Sequence, residues 1–186
     1  GKWRGAKGSF FEGGIRVPAV ISYPKLFPQG ETRGQAIVNL DILPTICEIL
    51  DIPKPKNKLD GKSILDIIKS DDAKSPHEVL HWMWQGMWAV RKGNWKLIYD
   101  GHDTTGKFSI HPEKEFEMPE YYLANLDDEK PEEINYALKE PKILKELLAL
   151  HQSWAKDVFE GSGYPDPNSA EGKEEKIVKT KGTTKL

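Results

Sequence analysis

Hydrophobic and polar positions change period along the chain. Apolar β-branched and aromatic residues come in short runs at residues 79–84, 88–91 and 95–99, the last two joined by Lys92-Gly93-Asn94, which is hairpin chemistry. Residues 121–126 supply a fourth run, and together these predict an antiparallel sheet. From Pro141, which suits a first helical turn, the period lengthens. Leu144, Leu147, Leu148, His151, Trp154 and Val158 then share one face of a helix. That helix, about 20 residues and ~30 Å long, is expected to cover the sheet.

The upstream half reads differently. Residues 1–16 carry five glycines, a density that suits a loop able to take positive φ and to bring backbone close to a ligand. Residues 18–23, bounded by Pro18 and Pro24, predict a short buried strand. Asp41 is placed to cap a helix whose stripe Leu43, Ile46, Cys47 and Leu50 should be buried, with Pro44 tolerated in its first turn. Residues 51–62 are a Pro- and Lys-rich connector, followed by a short helix near residues 64–68. Beyond Gly161 the chain turns polar, and residues 169–186 hold five lysines and three glutamates, the composition of a tail. These breaks predict segments 1–55, 56–160 and 161–186.

Charge narrows the partners. With 27 basic and 29 acidic residues interspersed, no basic face is evident, which argues against nucleic acid. One cysteine excludes an internal disulfide framework, and no apolar run approaches the ~20 residues of a membrane span. The histidines His77, His81, His102, His111 and His151 lack paired ligand spacing, so no metal site follows from them.

The densest motif is Lys7-Gly8-Ser9-Phe10-Phe11-Glu12-Gly13-Gly14-Ile15-Arg16-Val17-Pro18. It is followed in order by Asp41 to Thr45 (Asp-x-x-Pro-Thr) and Asp60 to Ser63 (Asp-Gly-x-Ser). An Ala-Val-Arg-x-Gly-x-Trp-Lys-Leu hairpin spans Ala89 to Leu97, and Asn125 to Ala137 carries Glu-x-x-Asn-x-Ala. The series resembles the C-terminal part of the sulfatase family. The resemblance implies an α/β fold: residues 1–55 would end an alkaline-phosphatase-like sandwich, and residues 56–160 would form an α+β subdomain of antiparallel sheet and long helix. It also implies hydrolysis of a sulfate ester of a small molecule or glycan, and a periplasmic or secreted location. The family's formylglycine nucleophile and calcium ligands lie upstream of the matching motifs, in an N-terminal catalytic portion. Cys47, in Thr45-Ile46-Cys47-Glu48-Ile49, does not match the nucleophile motif.

Carried over residue by residue, the resemblance makes Lys7 the catalytic contact to the sulfate. A fixed ammonium stabilises charge that grows on the sulfuryl oxygens in the transition state. Lys2 and Arg4 on the same loop, and Trp84 and Trp88 on the turn where relatives often bind a sugar, are candidate substrate contacts, with packing as the alternative for the tryptophans. Glu12 and Arg16, four apart, are expected to pair and hold the loop, with Gly13 and Gly14 meeting dihedral demands. Two other functions are compatible with the pattern: a phosphonate or phosphate monoester hydrolase of the same superfamily, and a non-catalytic carbohydrate-binding module using the tryptophan-rich hairpin.

Overall fold

The computed structural model describes residues 2–104 and 118–160. The polar tail expected at residues 161–186 lies outside the described residues. Two compact units are present, Pro18–Glu78 and a second made of residues 2–17 with the described residues from Val79 onward. The sheet unit therefore takes in residues 2–17, which the sequence pattern groups with residues 18–55. The cause is local: Phe11 and Glu12 bury their side chains against the sheet.

The sheet is a four-stranded antiparallel meander, β1 (Val79–Trp84), β2 (Met87–Lys92), β3 (Trp95–Tyr99) and β4 (Tyr121–Asn125), in the order β1-β2-β3-β4. Gln85 and Gly86 connect β1 to β2 with φ of 50° and 83°, the double positive φ that a two-residue I′ hairpin requires. Strand alternation then sorts side chains onto two faces. Trp88, Val90, Leu97 and Leu123 face α4 (Pro141–Phe159) and pack with its Leu147. Ala89, Ile98, Tyr122 and Ala124 face the other way, where Phe11 closes the core over them. The sheet is thus covered on one side by the predicted helix and on the other by the glycine-rich loop.

Asn135 secures the free edge of β4. Its side-chain oxygen accepts from the Leu123 amide at 2.9 Å, and its side-chain amide donates to the Tyr121 carbonyl at 3.0 Å. On the α4 face His151 stacks on Trp88 with ring centroids 4.0 Å apart, and His81 stacks on Trp154 at 4.7 Å. Burial lowers the pKa of both histidines to about 4, with the neighbouring His81 adding to the shift at His151.

In the second unit, α2 (Ile42–Ile49) and α3 (Leu65–Lys69) form where helices are expected. The strand predicted at residues 18–23 does not form: no described strand pairs with it, and Val20 is 93% exposed. The stripe on α2 is also only partly buried. Cys47 is covered, together with Pro44 and Thr45, while Leu43, Ile46 and Leu50 face outward. Asp41 does not cap α2 with its side chain. Its carboxylate reaches back to the Val38 amide at 2.9 Å and across to the Lys62 amide at 2.8 Å and the His77 ring at 2.7 Å. Gly61 is needed because a Cβ there would collide with the Leu40 carbonyl, which explains the Asp-Gly pair without any unusual dihedral.

Candidate functional site

The loop of residues 2–16 doubles back on itself. The Ser9 amide donates to the Ala6 carbonyl at 3.1 Å, closing a turn with Lys7 and Gly8 at its tip. Gly8 has φ of 91°, the third-position requirement of a type II turn. The base of the turn is held by Thr104, whose hydroxyl accepts from the Ala6 amide at 2.9 Å and donates to the Ala6 carbonyl at 2.8 Å. Lys7 itself is exposed, and its ammonium has no hydrogen bond or ion pair among the described residues. A cation held on a fixed turn is a suitable donor to an anionic ligand.

The chain then enters α1 (Glu12–Ile15), one turn of helix in which Gly13 and Gly14 occupy the crowded side. Neither has a positive φ. A Cβ on Gly13 would meet the carbonyl oxygens of Gly5 and Arg4, and one on Gly14 those of Ser9 and Ala6. Close backbone approach, and not a dihedral demand, selects these two glycines.

Beneath α1 lies a buried polar cluster. The Lys96 ammonium, fully buried, donates to Glu12 Oε1 at 2.8 Å and to Glu132 Oε1 at 3.0 Å. Glu132 Oε2 accepts from the backbone amide of Glu12 at 2.8 Å. Arg91 and Arg16 approach Glu12 Oε2 from the rim at 3.7 and 3.5 Å. Two carboxylates share one buried ammonium, so desolvation, reinforced by the nearby Glu12 charge, raises the pKa of Glu132 against the pull of Lys96. Removing one partner of such a cluster strands a buried charge, at a cost of about 3–5 kcal/mol.

The expected Glu12–Arg16 pair is present, but at 3.5 Å it is longer than the 2.8 Å contact of Lys96 to Glu12. Arg4 is turned inward, away from the solvent that a substrate contact needs. Its Nε meets Asp103 Oδ2 at 2.8 Å, and its Nη1 donates to the Tyr122 hydroxyl at 2.7 Å and the Glu132 carbonyl at 2.8 Å. Lys2 stays outside, its ammonium 4.6 Å from the centroid of the Trp3 ring, which Arg16 also approaches at 4.2 Å. Trp88 is 2% exposed and stacked between Tyr99 and His151, so it is a core residue and not a pocket wall. Trp84 is 53% exposed beside the β1–β2 turn and is left as the aromatic candidate on that hairpin.

Lys96 and Glu132 were missed as loop-holding groups, although both lie inside motifs visible in the sequence. The available signal was the position of Lys96 between Trp95 and Leu97 in a strand: alternation puts it on the face of Ile98, which is buried. Among the described residues no group of three or more His, Cys, Asp or Glu side chains is placed to hold a metal ion, and Cys47 is buried in α2. The residues described here do not fit a calcium site or a formylglycine nucleophile. No described helix is long and apolar enough to cross a membrane.

A family model described as N-sulphoglucosamine sulphohydrolase, C-terminal, matches residues 5–157. An uncharacterised sulfatase of Schizosaccharomyces pombe is 32% identical over 152 residues, 77% of this chain and 25% of that protein. Human arylsulfatase D is 34% identical over 118 residues, 61% of this chain and 20% of its own length. The chain thus spans a quarter or less of these relatives. A solved structure, titled for the metabolism of multiple glycosaminoglycans by Bacteroides thetaiotaomicron, has the same fold over 82% of this chain and 32% of its own, with a TM-score of 0.63 at 24% identity.

Proposed function

The chain belongs to the sulfatase family, and we propose that it is the C-terminal part of an enzyme that hydrolyses sulfate esters, to which it contributes a sulfate-binding lysine. The observation that supports this reading is the Lys7 turn: an exposed ammonium at the tip of a turn whose base is bonded on both sides of Ala6 by Thr104. As an ester sulfur is attacked, charge accumulates on the sulfuryl and leaving oxygens. An ammonium already fixed in place stabilises that charge without reorganisation. The nucleophile and the calcium ion implied by the family would belong to the part of the enzyme upstream of this segment.

The outward-facing Val20 of residues 18–23 and Leu43, Ile46 and Leu50 of α2 fit the same reading. In the complete enzyme these apolar groups would be covered by the large domain, with residues 18–23 pairing as one of its strands. Lys2, beside Trp3, and Trp84 remain the candidates for touching the alcohol portion of the substrate, a sulfated small molecule or glycan.

The direct test is substrate preference. The enzyme carrying this segment should turn over an aryl sulfate with kcat/KM at least about tenfold above that for the matched aryl phosphate, a difference of about 1.4 kcal/mol in the barrier. A preference for the phosphate ester would transfer the Lys7 turn to phosphoryl chemistry.

A further inference from the structure

We propose that Lys96 and Glu132 are positioning residues for the Lys7 turn, clamping the segment that carries it at both ends; the catalytic part of this claim rests on the reading of Lys7 given above. Glu132 is the hub. Its backbone carbonyl accepts from Arg4 Nη1 at 2.8 Å and from the Tyr122 hydroxyl at 2.9 Å, while its carboxylate accepts from the Glu12 amide at 2.8 Å. Arg4 and Glu12 bracket the segment on which Lys7 sits, so one residue holds both of its ends. Glu132 does so at φ of 65°, a conformation that residues with a Cβ seldom adopt. Strain of that kind persists only where surrounding contacts impose it.

Lys96 supplies the second half of the clamp. It lies on β3 with its side chain fully buried, and packing alone would be met by an apolar residue of similar size. Replacing a buried ion cluster as a whole by apolar residues is often neutral for stability, so what Lys96 adds here is the one arrangement of Glu12 and Glu132 that it imposes. Here the ammonium joins Glu12, 84 residues upstream, to Glu132, 36 residues downstream. The Ala-Val-Arg-x-Gly-x-Trp-Lys-Leu and Glu-x-x-Asn-x-Ala segments thereby converge on the Glu-Gly-Gly segment. The Lys7 turn projects from that junction and is fixed to the sheet by it.

The test uses the enzyme carrying this segment, with Lys96→Met and Glu132→Gln compared with wild type. In Lys96→Met, hydrogen exchange at the Glu12 and Gly13 amides should accelerate at least about tenfold more than at the Ala89 and Leu97 amides, whose protection falls only with the overall loss of stability. In the same variant kcat for an aryl sulfate should fall about tenfold or more. Glu132→Gln should move both readouts in the same direction by less, and it decides the matter if Lys96→Met does not fold. Exchange at Glu12 and Gly13 that is unchanged, or that accelerates by the same factor as at Ala89 and Leu97, overturns the clamp. Lys7→Ala run alongside separates the two claims. Full activity there overturns the sulfate reading, whereas a loosened loop with unchanged kcat in Lys96→Met overturns the positioning role alone.

Discussion

Lys96 Nζ lies 2.8 Å from Glu12 Oε1, both groups essentially without solvent contact, and this pair joins the third strand of the sheet to the glycine-rich loop 84 residues earlier. Everything specific to the candidate site follows from where that loop is held.

The paired glycines are selected by close approach. Gly13→Ala and Gly14→Ala should each destabilise the protein by about 1–3 kcal/mol, because the new Cβ meets backbone carbonyls that cannot step aside. Gly8→Ala adds a Cβ in open space, and its cost of about 1–2 kcal/mol should come from φ of 91° alone. Replacing Gly8 by Asn, which tolerates positive φ, should recover part of that loss, whereas Gly13→Asn should be worse than Gly13→Ala. Urea denaturation of the five variants checks the order.

The two tryptophans of the β1–β2 hairpin should separate cleanly. Trp88→Ala, emptying a stacked core position, should cost about 3–5 kcal/mol and lower activity on every substrate through loss of folded protein. Trp84→Ala should leave stability within about 0.5 kcal/mol. If Trp84 stacks on the alcohol portion of the substrate, its loss should lower kcat/KM for a bulky sulfate by about 0.5–1.5 kcal/mol in the barrier and spare a minimal one. Equal losses on both substrates would remove Trp84 from the pocket.

Much of the sheet unit was legible because its signals are local. The short β-rich runs in residues 79–99 and the helical period after Pro141 depend only on neighbours in sequence, and β1 to β4 and α4 appear within two residues of the expected bounds. Lys7 could be singled out from its glycines and flanking motif. The loop's attachments could not, since Glu12 meets the Glu132 carboxylate across 120 residues and nothing in the residues near Glu12 announces it. Arg4 shows the same limit: a cation on a glycine-rich loop looks available for a ligand until Asp103 and Tyr122 are brought beside it. The α2 stripe failed for a related reason. Periodicity identifies which face is apolar, and burial of Leu43, Ile46 and Leu50 requires a partner surface that is not among the described residues.

Stability should depend on acid through the stacked histidines. Both have folded pKa values of about 4 against a usual 6.5, so the unfolded chain binds more protons between those values. Their contribution is complete above pH 6.5 and is lost as pH falls toward 4. Glu132, with its pKa raised by burial, acts in the opposite sense: its share is present in acid and is lost as pH rises through the raised value. The histidine share predicts a drop in Tm between pH 7 and pH 4.5, which the Glu132 share opposes. His151→Phe should shrink that drop, and an equal drop in wild type and variant would remove the stacked histidines as its source.

The most direct measurement is the activity of Lys7→Ala in the enzyme carrying this segment, with an aryl sulfate as substrate. Because Lys7 is exposed at the tip of a turn, the substitution should leave the denaturation curve within about 0.5 kcal/mol of wild type. Removing one preorganised charge-stabilising group should lower kcat/KM by roughly 10²- to 10³-fold, about 3–4 kcal/mol in the barrier. Lys7→Arg should recover only part of this, since a planar fork does not reproduce a compact ammonium. A correctly folded Lys7→Ala enzyme that keeps more than about half of wild-type kcat/KM would contradict the assignment of this turn to the sulfate site.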